Sequence, residues 1–163
     1  MTKSCRNIKG GKRRNKGTKS NRKIRNRNTE KKPMNSLENS KKANIVKVFL
    51  EMIHMVKLYH WKTKSHSEHV ATDELHGRLS KNVDKFVEVL LGKDQSRVQM
   101  VTDKMDLLDF NNSKELKDCI FKYREFLMNM NIYFDTKRDS DLLNIRDEIL
   151  GDLNQFLYLL TLS

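Results

Sequence analysis

Proline occurs once in these 163 residues, at Pro33, so everything after it lacks the residue that most reliably breaks helices. The two cysteines, Cys5 and Cys119, are too few and too far apart to make a disulfide framework, which suits a reducing compartment. No apolar run approaches a membrane span, Phe156 to Leu160 being typical of the longest. The amino terminus has no apolar h-region, so secretion is not expected. Aromatic residues are absent from residues 1–42, and the only acids there are Glu30 and Glu38. These absences argue against a stapled secreted module and against a membrane protein. The expectation is a soluble intracellular chain.

Positive charge is abundant but segregated. Residues 1–42 hold 16 Lys and Arg, a net of +14. The whole chain carries +12, so residues 43–163 are left at −2. Apart from Ile8, Ile24, Met34 and Leu37, little in the first segment could be buried, and Gly10, Gly11 and Gly17 add freedom. It is expected to be a disordered basic tail with a span of roughly 35 Å. Lys3, Arg6, Lys9, Lys12, Arg13, Arg14, Lys16, Lys19, Arg22, Lys23, Arg25 and Arg27 are spaced by Asn, Ser, Thr and Gly. With no aromatic ring for base stacking, that pattern suits phosphate neutralisation by counterion release, which is salt-sensitive and blind to sequence. DNA is the expected partner. RNA, another polyanion or a nuclear-localisation receptor would read the same charges.

The remaining residues, 43–163, suffice for one domain. Apolar residues recur at three- and four-residue steps in four stretches. The first, residues 43–62, places Ile45, Phe49, Met52, Val56 and Tyr59 inward, and the second, 67–91, places Val70, Leu79, Val83, Phe86, Val87 and Leu90. Gly92 is expected to stop the second helix. Residues 93–112 read as a long crossover, with a short helix near 98–108. A third helix is expected over 113–134, capped by Ser113, with Leu116, Ile120, Tyr123, Phe126, Leu127, Met130 and Ile132 inward. A fourth covers 140–160, with Leu142, Ile149, Leu153, Phe156 and Leu160 inward and with Asp139 and Asp141 at its positive end. No segment alternates with period two. The fold class is all-α: two helical hairpins joined by a long crossover, the ferritin-like form of the four-helix bundle.

Within 29 residues lie His60, His69, Asp73, Asp84 and Glu88. His69 with Asp73, and Asp84 with Glu88, are i,i+4 pairs, each on one stripe of a helix. From Asp73 to Asp84 is about three turns, a rise of roughly 16 Å on nearly the same face. The two pairs are too far apart to share one ion, so each is half of a site. A second copy across a two-fold axis is the simplest donor of the other half. Imidazole with carboxylate suits iron, manganese or zinc. On spacing alone, exposed charges at i,i+4 are the more frequent meaning of such a pattern. Glu51 and His54 make a Glu-x-x-His unit of the kind found in bundle-core di-iron sites, but no second unit accompanies it. His54, His66 and His76 are read as surface residues without partners.

The run Tyr59-His60-Trp61, followed by His69, Asp73, Asp84 and Glu88, resembles the ferroxidase signature of the Dps family, the DNA-binding proteins from starved cells. The steps 69 to 73, 73 to 84 and 84 to 88 match that signature, and 141–160 resembles the family's last helix. The similarity covers roughly residues 43–163. It departs in three ways: His60 to His69 is about three residues short, Lys62 replaces an Asn, and a corner Gly is missing. The divergence and the Lys- and Asn-rich vocabulary are in keeping with Dps-like proteins of large DNA viruses. The resemblance implies a homo-oligomeric, dodecameric shell with Fe²⁺/Fe³⁺ sites at two-fold interfaces, zinc or manganese being alternatives. His60, His69 and Asp73 of one chain would face Asp84 and Glu88 of its neighbour. The implied activity is Fe²⁺ oxidation by H₂O₂ or O₂, with DNA protection under oxidative stress. Trp61 would intercept radicals beside the site, or else fill the core at the corner between the first two helices. Localisation on DNA follows, in a nucleoid or in a virion or viral factory. The alternative is an architectural DNA-packaging protein that keeps the shell without iron oxidation.

Overall fold

The structure is a computed structural model, and it describes residues 37–102 and 104–162. Four helices account for most of them: α1 (Asn39–Lys62), α2 (His66–Gly92), α3 (Ser113–Asn129) and α4 (Ser140–Leu159). A 3-10 turn at Met130–Ile132 follows α3. Among the described residues there is no strand, and no helix is long and apolar enough to cross a membrane.

Helix direction follows from what meets at each end. The start of α1 lies beside the end of α2, where Lys42 pairs with Asp94, and the end of α2 reaches the start of α4, where Lys93 bonds Asp141 at 2.8 Å. At the opposite end Lys62, closing α1, bonds Asn111 just before α3 at 2.9 Å. Lys117, early in α3, bonds the carbonyl of Leu160 at 2.9 Å. The connection after α2 therefore runs the length of the bundle, and α3 points the same way as α2. The helices run up, down, down, up. This is the ferritin-like order expected from the long crossover.

That crossover is held at both ends. Asn39 Nδ2 donates to the Gln99 carbonyl at 2.8 Å, and Gln99 N donates to Asn39 Oδ1 at 3.0 Å. One side chain thus satisfies a donor and an acceptor of a backbone that has no ladder of its own. Leu108 and Phe110 lean on the core. No helix forms at 98–108 among the described residues, because these side-chain anchors and apolar contacts already fix an extended path.

The core is built from the expected stripes with informative exceptions. Phe49 packs edge-on against Phe86 with centroids 5.2 Å apart and against Phe126 at 6.4 Å, and Phe86 meets Phe134 at 6.0 Å. Ile45, Met52, Leu75, Leu79, Leu116, Ile120, Ile149 and Leu153 fill the layers around them. Val70 and Ile132, expected inward, are exposed. The inward stripe of α2 passes through Ala71 and Leu75 instead, and the 3-10 turn rotates Ile132 off the face that Met130 keeps.

Boundaries also moved. Helix α1 begins at Asn39, so residues 39–42, expected in the tail, are helical, and Lys42 is buried against Asp94 and Ser96. The cap of α3 is Asn112, whose Oδ1 accepts from Glu115 N at 2.9 Å, rather than Ser113. Gly92 is the last residue of α2, but the left-handed position falls on Gln95, at φ 53°. The basic residues Lys3 to Arg27 lie outside the described residues.

Candidate metal-binding site at the α1–α2 corner

Three residues, Thr63, Lys64 and Ser65, join α1 to α2. Ser65 caps α2, its Oγ accepting from Glu68 N at 3.4 Å. In a capping box the residue at Glu68 reaches back to the cap's own N–H. Here the Glu68 carboxylate turns inward. It accepts from Tyr59 OH at 2.8 Å and from Thr63 Oγ1 at 2.5 Å, while Ser65 N–H goes to Thr63 Oγ1 at 3.2 Å. Burial, then the bond to Glu68, pushes the Tyr59 phenol up to about 12. The last turn of α1 is thereby tied to the first turn of α2.

The tie sets the two histidines against each other. His60 Nδ1 lies 3.0 Å from the carbonyl oxygen of His69, and His69 Nδ1 lies 3.1 Å from that of His60. A carbonyl only accepts, so both Nδ1 atoms carry a proton, and Nε2 is the atom that holds a lone pair whenever the ring is neutral. The rings stack with centroids 3.9 Å apart. The His60 carbonyl is one of those left unpaired at a helix end, so His69 also serves as its cap. His60 is buried, and Thr72 Oγ1, itself bonded to the Glu68 carbonyl at 2.7 Å, lies 3.3 Å from its Nδ1.

Asp73 stands one turn after His69, its Oδ1 3.7 Å from His60 Nε2. The same oxygen lies 3.2 Å from Lys57 Nζ. The Lys57 hydrogen bond and charge hold the Asp73 carboxyl below the usual aspartate range. Lys57 Nζ also sits 5.8 Å from the centre of the Trp61 ring, which is 69% exposed and no part of the core. His76, read from sequence as a partnerless surface residue, is half-buried, and burial with the nearby Lys57 charge pushes its pKa down.

Asp84 and Glu88 are exposed three turns further along α2, and no hydrogen bond or ion pair within the subunit engages either among the described residues. Glu51 pairs with Lys47 at 3.5 Å, and His54 Nδ1 is bonded to the Leu50 carbonyl at 2.6 Å. The structure therefore brings His60, His69 and Asp73 together and leaves Asp84 and Glu88 apart. Among the described residues of one subunit, no three His, Cys, Asp or Glu side chains converge to close a coordination shell.

The donors nevertheless fit a divalent ion of intermediate softness. Two imidazoles with their Nδ1 protons committed to carbonyls are oriented as metal-ligating histidines usually are, and a carboxylate adjoins His60. Among the described residues, Lys57 opposes a cation there. Sequence reading overlooked it, although Lys57 shares a stripe with His60 and Trp61 at i+3 and i+4.

A family model described as "Family of unknown function (DUF5856)" matches residues 60–160. The chain belongs to that family. The match begins at His60 and includes all of α2, α3 and α4. No curated protein and no solved structure matches the chain.

Proposed function

We propose that the protein is a Dps-like ferroxidase whose ferrous-iron sites are completed by a second copy of the chain, and whose basic amino-terminal segment binds DNA. The observation that supports this most is the reciprocal histidine pair, with His60 Nε2 3.7 Å from the Asp73 carboxylate. In this reading Fe²⁺ is the substrate. His60, His69 and Asp73 bind it from one subunit, and Asp84 and Glu88 of a second copy, free of other partners, complete the shell. Each pair of Fe²⁺ ions gives up two electrons to H₂O₂. The O–O bond breaks, two protons are taken up, and two waters and two Fe³⁺ result. The chain supplies binding, orientation and negative charge that favours the ferric product. An isologous dimer makes two such sites at once, and a closed shell built on it, a dodecamer by resemblance, stores the product.

The DNA half of the proposal rests on charge. Twelve or more cations in a segment without aromatic residues favour phosphate contacts, and several segments on one assembly multiply the affinity. A second reading, a DNA-packaging assembly without iron oxidation, is favoured by one contact, the Lys57–Asp73 pair that engages a proposed ligand.

One experiment tests both. Purified protein is mixed with Fe²⁺ and peroxide and ferric absorbance is followed, beside an Asp84→Ala/Glu88→Ala variant and a chain lacking residues 1–36. The ferroxidase reading expects rapid oxidation, at least tenfold slower in the double variant. An unchanged rate in that variant refutes the site. DNA retardation without any iron turnover in the intact protein selects packaging. Retardation that survives deletion of 1–36 refutes the DNA role of that segment.

A further inference from the structure

We propose that Lys57 is a built-in competitor for the metal, a side chain whose ammonium must leave Asp73 before a divalent cation can take that carboxylate. This rests on the reading of His60, His69 and Asp73 as ligands. A single oxygen, Asp73 Oδ1, is shared between Lys57 Nζ at 3.2 Å and the approach to His60 Nε2 at 3.7 Å. The ammonium therefore engages the same oxygen that an ion bridging His60 and Asp73 would take.

The geometry also provides a place for the displaced group. The exposed indole of Trp61 lies one turn on along α1, with Lys57 Nζ already 5.8 Å from the ring centre. A lysine has four rotatable stem bonds, so moving its head from carboxylate to ring face needs no backbone change. The cation–π contact with the exposed ring is already made at this distance and is kept when the ion pair is given up. One Lys57 position touches both groups, and metal occupancy of the carboxylate leaves the ring as the contact it keeps. The consequence is a raised threshold: divalent cations at low concentration lose to the tethered ammonium, while higher concentrations displace it.

The Asp73 carboxylate is largely exposed, so the pair is a modest one. Removing it, together with a positive charge next to a divalent ion, is expected to tighten binding about five- to tenfold. The experiment titrates Zn²⁺ calorimetrically into the full chain, with Lys57→Met, Lys57→Arg, Lys57→Met/Asp73→Asn and His60→Ala in parallel, folding being checked by circular dichroism. Should Lys57→Met fold poorly, Lys57→Gln replaces it. The expected result is tighter binding in Lys57→Met, wild-type affinity in Lys57→Arg, and loss of the gain in the double variant. Affinity in Lys57→Met within twofold of the wild type, with His60→Ala weakened, overturns the competition and leaves the ligand reading standing. Binding that is absent throughout, or indifferent to His60→Ala, overturns the ligand reading and the competition with it.

Discussion

Lys42 is the side chain whose loss should expose the logic of the crossover. Its side chain is 4% exposed and its ammonium is bonded to Asp94, with Ser96 Oγ at 2.7 Å, immediately after α2. Lys42→Met keeps the aliphatic stem but leaves the Asp94 carboxylate, 11% exposed, with only Ser96 for company. Breaking a buried pair from one side costs about 3–5 kcal/mol, and the adjoining cleft of about 600 Å³ admits water, which points to the low end, about 3 kcal/mol. Urea unfolding followed by helical circular dichroism would show this as a lower midpoint at unchanged slope. The pH dependence has a definite sign. Burial raises the Asp94 carboxyl, but the bonds from Lys42 and Ser96 outweigh it and the net displacement is downward. A group depressed in the folded state stabilises above its unfolded pKa, about 3.9, and that contribution disappears as pH falls through the lower folded value. The penalty of Lys42→Met should therefore be full at neutral pH and shrink in acid. Replacing both partners, Lys42→Met with Asp94→Leu, should recover most of the loss. If the single variant costs under about 0.5 kcal/mol, or the double costs as much as the singles summed, the anchor does not hold the crossover.

Two further outcomes follow from local contacts. Asn112→Ala removes the side-chain acceptor for Glu115 N at the start of α3 and should destabilise the bundle by about 1 kcal/mol, whereas Ser113→Ala should cost less; equal losses in urea melts would restore Ser113 as the cap. For Tyr59 the phenol pKa is raised by burial and by Glu68, so its stabilising contribution is complete below about 10 and is lost as pH climbs towards about 12. Wild-type protein should lose stability across that alkaline window, and Tyr59→Phe should flatten the loss; identical alkaline profiles would show that the Tyr59–Glu68 bond does not tie the corner.

What sequence could disclose was whatever repeats. The stripe Ile45, Phe49, Met52, Val56, Tyr59 recurs over four turns, so one ambiguous residue cannot shift it, and all five are buried. Val70 and Ile132 failed because each sits near an end, where a single turn of evidence cannot separate the inward face from the next one. Lys42 misled for a different reason. Counted as one more cation in a basic run it belongs to the tail, but a long stem can be buried when its head finds an acid, and Asp94 is 52 residues away. Nothing local announces such a partner. The crossover path was hidden likewise, since its fixing bonds join Asn39 to Gln99. At the candidate site, spacing located His69 and Asp73 on one stripe, but ring stacking and the exchange of Nδ1 bonds depend on the angle at which α1 meets α2. His76 has Lys57, His60 and His54 beside it from the other helix, as well as Asp73 on its own, and the three from α1 were invisible in the spacing.

The three-residue corner is what brings the two histidines together. A longer link between Lys62 and His66 would let α1 end several ångströms from α2, and the His60 carbonyl would then turn to water. With three linking residues the last turn of α1 is forced onto the first turn of α2, and the unpaired carbonyl there needs a donor. His69 supplies it, and the symmetry of the contact returns the favour to the His69 carbonyl. Both imidazoles are thereby held with Nδ1 as the donor, the His60 carbonyl being the helix-end acceptor that calls for one. The cost is crowding: Asp73 is brought within reach of Lys57 as well as of His60. Fixed histidine lone pairs and a contested carboxylate are thus two results of one short loop, and lengthening it by three residues should release the Nδ1 bonds and the Lys57 contact together.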